Sequence, residues 1–292
     1  MRPAAIEHAG ADVASLLSDA AGRLRGGLAQ QPEGTPQLDA ELLLAHALGV
    51  SRTRLRSHPE DTSPAAAIVR FERLIERRAA GEPVAYLLGY KEFWTLRLTV
   101  SPAVLVPRPE TELLVERALQ LHPRDSAQVA DLGTGSGAIA LALASERPQW
   151  QVTATDVSAD ALAIARTNAV ALGLGRVRFV EGSWFSGLRG RTFDLVASNP
   201  PYVAGEDPML VGLSHEPRLA LTPGADALAC LREIIRAAPG HLVRGGWLLL
   251  EHGATQASAV ASELAARGFV TVRSHRDLAG HERMTEGQWP KV

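Results

Sequence analysis

The chain has 292 residues, 46% of them hydrophobic, with 30 basic against 32 acidic side chains and a formal net charge of −2. That length gives ample core for one large or two smaller domains, and the near balance of charge excludes a strong general field for nucleic acid. The single cysteine, Cys230, excludes an internal disulfide and any cysteine-cluster metal site, and the nine histidines show no metal-ligand spacing, so no metal is expected.

The chain opens Met1-Arg2-Pro3 without a signal-peptide core, and no later stretch approaches the roughly 20 apolar residues that span a bilayer. No membrane is expected, and the cytoplasm is the expected location. Helical patterns come first. Val13 to Leu28 keeps apolar residues on one face, Leu38 to Leu48 is entered after Pro36, and Ala65 to Ala80 carries charges of alternating sign on its outer face. Pro32-Glu33-Gly34-Thr35-Pro36 separates the first two helices, since two prolines and a glycine within five residues continue neither. The basic residues Arg52, Arg54 and Arg56 read as a solvated face before they read as an RNA contact. The texture changes near Gly81. Leu96, Leu98 and Val100 then alternate with Arg97 and Thr99, Ser101-Pro102 marks a turn and Val104-Leu105-Val106 follows, which predicts a hairpin bridging two domains.

From Glu110 onward helix and strand alternate. Strands are predicted near Val129 to Asp131, Val152 to Asp156, Val177 to Glu181, Leu195 to Ser198, Trp247 to Glu251 and Val270 to Arg273. Alternation of this kind implies an α/β fold with a parallel, doubly wound sheet covered on both faces.

Three features in this half carry chemistry. Gln128 to Leu132 reads as a strand, and Gly133-Thr134-Gly135-Ser136-Gly137 leads from it into the alanine-rich helix from Ala138. The glycines allow close backbone approach to a ligand, and the helix start offers free N–H groups. Gly133, Gly135 and Ala138 also satisfy the dinucleotide pattern, so this loop fits a nicotinamide or flavin enzyme as well. Next, Gln151 to Asp156 is a strand ending in an acid able to take both ribose hydroxyls, which again fits either cofactor; an ordinary reading has Asp131 and Asp156 capping the segments that follow them. Last, Asn199-Pro200-Pro201-Tyr202 closes the apolar run Phe193 to Ser198. Neither proline donates a backbone hydrogen bond, and both hold the chain extended. Asn199 Oδ1 and the Pro200 carbonyl would then accept the two N–H bonds of a planar amide or amine, with Tyr202 as an aromatic wall. Alone, this run is equally an Asn-initiated, Pro-rich turn.

The combination favours S-adenosylmethionine. Asp131 and the glycine loop would meet its methionine end, where ammonium and carboxylate need opposite partners, and Asp156 its ribose. A dinucleotide enzyme has no use for the Asn-Pro-Pro-Tyr run. His215 beside Glu216 and His252 beside Glu251 are not read as metal sites.

Leu38-Asp39-Ala40-Glu41-Leu42-Leu43-Leu44, Gly81-Glu82-Pro83-Val84-Ala85-Tyr86-Leu87, Glu92-Phe93-Trp94, Val106-Pro107-Arg108-Pro109-Glu110-Thr111-Glu112, the glycine loop and Asn199 to Tyr202 occur in this order. Together they closely resemble the protein-(glutamine-N5) methyltransferases that modify peptide chain release factors, over nearly the whole chain. The Asn-Pro-Pro-Tyr run is shared with amino-methylating DNA and RNA enzymes, the alternative function; the helical front and the Pro107 to Glu112 segment are more specific to this family.

The resemblance implies a Rossmann-like class I methyltransferase domain at 108–292, a helical substrate-recognition domain at 1–83 and a linker with a β-hairpin at 84–107. It implies that Gly133 to Gly137, Asp156, Trp184 and Asn199 contact S-adenosylmethionine or its product S-adenosylhomocysteine. It further implies that Asn199, Pro200, Pro201 and Tyr202 hold the glutamine of a Gly-Gly-Gln loop, with release factors as partners and no nucleic acid required. Where relatives often place an acid before the tryptophan, this chain has Ser183, whose hydroxyl can accept one hydrogen bond. Pro107 to Glu112 reads as a helix start with acids in its positive first turn, and the resemblance places it beside the cofactor. The expected chemistry is direct transfer in one displacement, with Asn199 and Pro200 aligning the acceptor nitrogen.

Overall fold

The computed structural model describes residues 10–27, 35–122 and 124–291, so Met1 to Pro3, Leu28 and Pro32 to Gly34 lie outside the described residues. The chain divides into two compact units, the first ending at Gly89 and taking in Gly212–His215, the second made of Tyr90–Val211 and the chain from Glu216.

The first unit is helical: α1 (Val13–Gly27), α2 (Pro36–Leu48), α3 (Arg52–Ser57), α4 (Ala65–Ala79) and α5 (Val84–Leu88). Pro36 occupies the first turn of α2, where its missing N–H costs nothing, so the helix starts two residues earlier than its apolar pattern predicts. Gly49 closes it in the left-handed region at φ 69°. Leu24, Leu43, Leu44, Phe71 and Ile75 are fully buried between α1, α2 and α4. A buried ion pair crosses this core, Arg78 Nε to Asp39 Oδ2 at 2.8 Å. Glu41, also buried, accepts from Arg52 and Arg56 of the short α3, which the sequence reading missed. Arg54 pairs with Asp61.

The second unit opens on a hairpin that contains the predicted strand from Leu96 but pairs it with a preceding strand and not with Val104 to Val106. β1 (Tyr90–Phe93) pairs antiparallel with β2 (Leu96–Thr99), Phe93 opposite Leu96. Val104 and Val106 are buried but belong to no strand. The turn is at Trp94, which takes φ 56° without a glycine or asparagine to announce it. Tertiary bonds hold it there: Trp94 N donates to Glu112 Oε1 and its indole Nε1 to Glu146 Oε1, both at 2.7 Å.

A 3-10 turn, Pro109–Thr111, leads into α6 (Glu112–Leu121). There follow β3 (Gln128–Leu132), α7 (Ala138–Glu146), β4 (Gln151–Asp156), α8 (Ala159–Ala171), β5 (Arg178–Glu181), β6 (Phe193–Ser198), the short α9 (Met209–Gly212) and α10 (Arg218–Leu221), α11 (Ala229–Ala237), β7 (Leu242–Glu251), α12 (Ala257–Ala266), β8 (Val270–Arg276) and β9 (Glu282–Gln288). The sheet order is β5-β4-β3-β6-β7-β9-β8. Its first five strands are parallel, and β9 runs antiparallel between β7 and β8. Successive strand residues enter opposite cores. Val129, Leu195, Ala197 and Leu249 pack with α6 and α7 on one face, whereas Ala130, Val196, Leu248 and Leu250 pack with α11 and α12 on the other. The doubly covered sheet follows from that alternation. Strand order reverses between β3 and β6, and the carboxyl ends at such a switch point form the crevice where open α/β sheets take their ligands.

Candidate active site

Register sets the site. Leu132 pairs with Thr155 and with Ser198, and Ser198 pairs with Leu250. One residue further, the carboxyl ends of four adjacent strands place Asp156, Gly133, Asn199 and Glu251 in one row.

The loop after β3 is folded by its glycines. Gly133, Gly135 and Gly137 take φ of 71°, 55° and 89°, values that favour glycine. Gly133 N and Thr134 N both donate to Thr155 O at 2.9 Å, and Gly137 N donates to Thr134 O. Ser136 is buried, and its carbonyl accepts from Asn168 Nδ2 at 2.9 Å. A Cβ built on Gly137 would meet Leu141 Cδ1 at 2.9 Å, so this glycine serves helix packing. One built on Gly135 meets nothing within 4 Å, which leaves an open cradle above the loop.

Asp131 lies beneath that loop, with none of its surface exposed. Its Oδ2 accepts from Thr134 Oγ1 at 2.5 Å and from Ala140 N at 3.1 Å, so it caps the start of α7 through space. Its Oδ1 is buried with no partner. Burial, with a smaller push from Asp156, raises its pKa to about 7 against the hydrogen bonds from Thr134 and Ala140. Asp156 is half-buried and raised in pKa by burial; its Oδ2 accepts from Gly135 N and its Oδ1 from Ser158 N, both at 2.9 Å. The cap of α8 is Ser158, whose Oγ accepts from Ala161 N, and not Asp156. Trp184 takes φ 48°, its carbonyl accepts from Thr155 Oγ1 at 3.0 Å, and its ring lies 3.2 Å from a Cβ built on Gly133. The indole therefore walls the same cradle.

The Asn199 amide donates from Nδ2 to Thr111 Oγ1 at 3.2 Å. Pro200 is buried, Pro201 and Tyr202 half-buried. Tyr202 donates its hydroxyl to Glu251 Oε1 at 3.1 Å, and its carbonyl accepts from Gln256 Nε2 at 3.0 Å. Burial, with Glu251 beside it, pushes the phenol pKa well up, so it stays protonated. Glu216 is buried and accepts from Val106 N at 2.9 Å and Arg108 Nη2 at 2.5 Å, fastening the chain ahead of Thr111. His215 bonds the Ala80 carbonyl at 3.1 Å.

Sequence reasoning named the glycine loop, Asp131, Asp156, Trp184 and Asn199 to Tyr202, and all of them lie at this sheet edge. It placed the His215 to Arg218 segment near the acceptor without a role for Glu216, and it missed Thr111, Glu251 and Gln256 as individual members. Thr111 stood inside a quoted segment, and Glu251 ended a predicted strand; the packing of the Pro109–Thr111 turn brings the first to Asn199, and the register of β6 with β7 sets the second beside it.

The donor set suits S-adenosylmethionine. The orphaned Asp131 Oδ1 lacks a donor that an ammonium supplies, the open face of Gly135 admits a ligand against backbone, and Asp156 keeps lone pairs on both oxygens.

Two family descriptions match the chain: "PrmC N-terminal domain" over residues 16–89 and "Methyltransferase small domain" over 109–214. Among curated relatives, the release factor glutamine methyltransferase of Pseudomonas aeruginosa is 51% identical over 255 residues, 87% of this chain and 92% of that protein. The protein of the same name from Xylella fastidiosa is 52% identical over 266 residues, 90% of this chain and 97% of that one. Among solved structures, a 16S rRNA methyltransferase from T. thermophilus, in complex with AdoMet and guanosine, is similar in fold at 18% identity and a TM-score of 0.51, covering 68% of this chain and 49% of that one.

Proposed function

Because the chain belongs to the release factor glutamine methyltransferase family, we propose that the row Asp156, Gly133, Asn199, Glu251 is its active site. We further propose that it methylates the side-chain amide nitrogen of the glutamine in a Gly-Gly-Gln loop of a release factor. The second unit is a Rossmann-like class I methyltransferase domain. Glutamine methylation is the reaction of this family.

The observation that carries the assignment of roles is the Asn199 amide at the switch point, tied back through Nδ2 and leaving Oδ1 as an acceptor. Asn199 Oδ1 and the Pro200 carbonyl oxygen take the two N–H bonds of the glutamine amide. An amide nitrogen is a poor nucleophile because its lone pair is delocalised, and acceptors on both N–H bonds hold it in place and enrich it in electrons. Tyr202, kept as a phenol, walls the flat group. The methionine end of S-adenosylmethionine belongs to the Gly133–Gly137 loop with Asp131 beneath it, the ribose to Asp156, and the adenine to Trp184. When bound, that cofactor supplies a methyl group already activated by a positive sulfur. The chain therefore contributes alignment and electrostatics, and no side chain has to act as a nucleophile. The proton lost by the glutamine nitrogen is acidic once transfer is under way and needs no strongly perturbed base.

On this proposal residues 1–83 recognise the release factor, 84–107 link, and 108–292 catalyse; no nucleic acid is required, and the reaction belongs to the cytoplasm. Among the described residues no helix is long and apolar enough to cross a membrane. The test is methyl transfer from labelled cofactor to a release factor, to the same factor with its glutamine changed to alanine, and to DNA and RNA in parallel. Label on the first alone is expected; label on nucleic acid, or equal label on the alanine variant, would refute the assignment.

A further inference from the structure

Asn199-Pro200-Pro201-Tyr202 holds the acceptor amide in the proposed reaction, and its two prolines offer no backbone N–H by which the run could be tied down. Each proline fixes its own φ. The angles left to set are ψ at the prolines and both torsions at Tyr202, and the fastenings lie at that end. The peptide group joining Tyr202 to Val203 is held on both sides: its carbonyl accepts from Gln256 Nε2 at 3.0 Å, and its N–H donates to Leu221 O at 3.0 Å. The far tip of Tyr202, the phenol, donates to Glu251 Oε1 at 3.1 Å. Glu251 ends β7 and Gln256 stands at the start of α12, so one short connection grips both the backbone and the ring of Tyr202.

We propose that Gln256 is a positioning residue for methyl transfer: through the Tyr202 carbonyl it fixes the end of the Asn-Pro-Pro-Tyr run, and with it the ring that walls the glutamine amide. The proposal rests on the reading of that run as the acceptor clamp. The two ends of a carboxamide are alike in shape, so its orientation is decided by what it is bonded to. For Gln256 both partners are backbone groups. Its Oε1 accepts from Gly253 N at 2.8 Å, and an N–H only donates; its Nε2 meets the Tyr202 carbonyl, which only accepts. A flipped amide would lose both bonds, so the donor is committed to Tyr202.

Gly253 provides the seat. A Cβ built there would come 3.2 Å from Gln256 Oε1 and 3.3 Å from its Cδ, so the glutamine side chain folds back against a bare stretch of backbone. The loop closes on itself through Gln256 N, which donates to Gly253 O at 2.9 Å. His252 is buried and bonds Thr285 Oγ1 at 2.8 Å and the Gly253 carbonyl at 3.0 Å. The support is therefore braced before it reaches Tyr202. An aligned acceptor needs such a support, since a displacement of about 1 Å set up away from the reacting atoms can cost about a hundredfold in rate. None of these bonds involves Asp131, Asp156 or the Gly133–Gly137 loop, so the effect falls on the acceptor and not on the cofactor.

The test is single-turnover methyl transfer to an intact release factor, at saturating S-adenosylmethionine, by Gln256→Ala and Gln256→Glu, with calorimetric cofactor affinity and a thermal melt for each. Gln256→Ala is expected to transfer about fivefold or more slowly, the scale of one hydrogen bond between neutral groups, with unchanged cofactor affinity. Gln256→Glu keeps the shape. Protonated, its hydroxyl donates to Tyr202 O while its other oxygen accepts from Gly253 N; ionised, it only accepts and turns a negative charge on the Tyr202 carbonyl. Its rate relative to wild type is expected to be highest at about pH 5 and to fall as pH rises toward about 8.5, the unperturbed glutamate pKa of about 4.3 being raised by that carbonyl. The charges acting on the Tyr202 phenol, those of Glu251, Arg283 and Arg108, are common to both proteins, so the ratio isolates residue 256. A brace that served stability alone would lower the melting temperature without this pH-dependent loss in folded enzyme. Near-normal transfer by Gln256→Ala, an equal loss of cofactor affinity, or a relative rate for Gln256→Glu that does not change with pH would overturn the proposal. Asn199→Ala in the same assay separates the two readings. If it transfers normally, the clamp and this proposal both fail. If it is inactive while Gln256→Ala transfers normally, only the positioning role fails.

Discussion

Asp156 meets backbone N–H groups from both sides, one from the glycine loop and one from the turn into α8. Those bonds aim both oxygens without exhausting their lone pairs. Asp156→Ala is expected to weaken S-adenosylmethionine binding by roughly 1.5 to 3 kcal/mol, about ten- to more than a hundredfold; calorimetric affinity equal to wild type in a folded variant would remove Asp156 from the site. Asp131 makes a different prediction. Its pKa rises from 3.8 to about 7 on folding, so the folded state holds a proton that the unfolded chain has released. Its contribution to stability is complete below pH 3.8 and is lost as pH climbs through about 7, by up to about 4 kcal/mol for a shift of that size. Asp131→Asn is expected to show less loss of melting temperature between pH 5 and 8 than the ligand-free wild type; parallel curves would mean that Asp131 does not titrate in that window. These two acids and Asn199 were legible because each stands at or next to the end of a predicted strand, Asp131 just ahead of the glycine loop and Asn199 directly before Pro200, a pattern visible in a short window. Glu251 and Thr111 were not. They meet Asn199 only through the pairing of β6 with β7 and the packing of a turn some ninety residues away, and neither follows from local pattern.

The glycine loop separates binding from folding within a few residues. Gly135 faces open space and Gly137 faces Leu141, although both sit at positive φ. Each alanine substitution carries the backbone strain of the left-handed region, roughly 1 to 2 kcal/mol. Gly137→Ala adds a clash inside α7 and is expected to lower the melting temperature more. Gly135→Ala fills the cradle and is expected to lower cofactor affinity more; the reverse order of effects would show that the cradle is not where the ligand lies. The central parallel strands β3, β6 and β7 were readable because burial on both faces makes them largely apolar runs, and β4 because its buried Val152-Thr153-Ala154-Thr155 run ends in an acid. β1 and β9 were not. β1 carries Lys91 and Glu92 and turns at a tryptophan, while β9, Glu-Arg-Met-Thr-Glu-Gly-Gln, reads as a polar loop. Its Glu286 is nonetheless buried, because Arg117 of α6 meets both carboxylate oxygens, at 3.1 and 2.9 Å. A buried charge made tolerable by a partner from a distant helix leaves no trace in hydrophobic periodicity.

For the molecule as a whole, two compact units and a narrow list of catalytic parts imply that much of the selectivity lies away from the reacting atoms. Remote contacts help position a reacting group, so a short Gly-Gly-Gln peptide is expected to be a poor substrate beside the intact release factor, measured as kcat/KM. Asp39→Ala removes the buried carboxylate that meets Arg78, which keeps its bond to the Glu82 carbonyl at 3.2 Å, and is expected to cost up to about 3 to 5 kcal/mol. It is expected to reduce transfer to the intact factor much more than to the peptide, and equal losses on both would deny the first unit a part in recognition.

The place of β9 between β7 and β8 also dictates an order of events during synthesis. β8 leaves the ribosome before the strand that must separate it from β7, so it has no native place in the sheet when it emerges. Until Glu282 to Gln288 are free, β7 keeps a bare edge along Leu248-Leu249-Leu250, a template for pairing with any extended chain nearby. Nascent chains arrested just after β8 are therefore expected to be protease-sensitive through β7 and prone to aggregate, with protection arriving in one step once β9 is released. Protection that grew strand by strand would show that β7 and β8 close against each other first and are prised apart later.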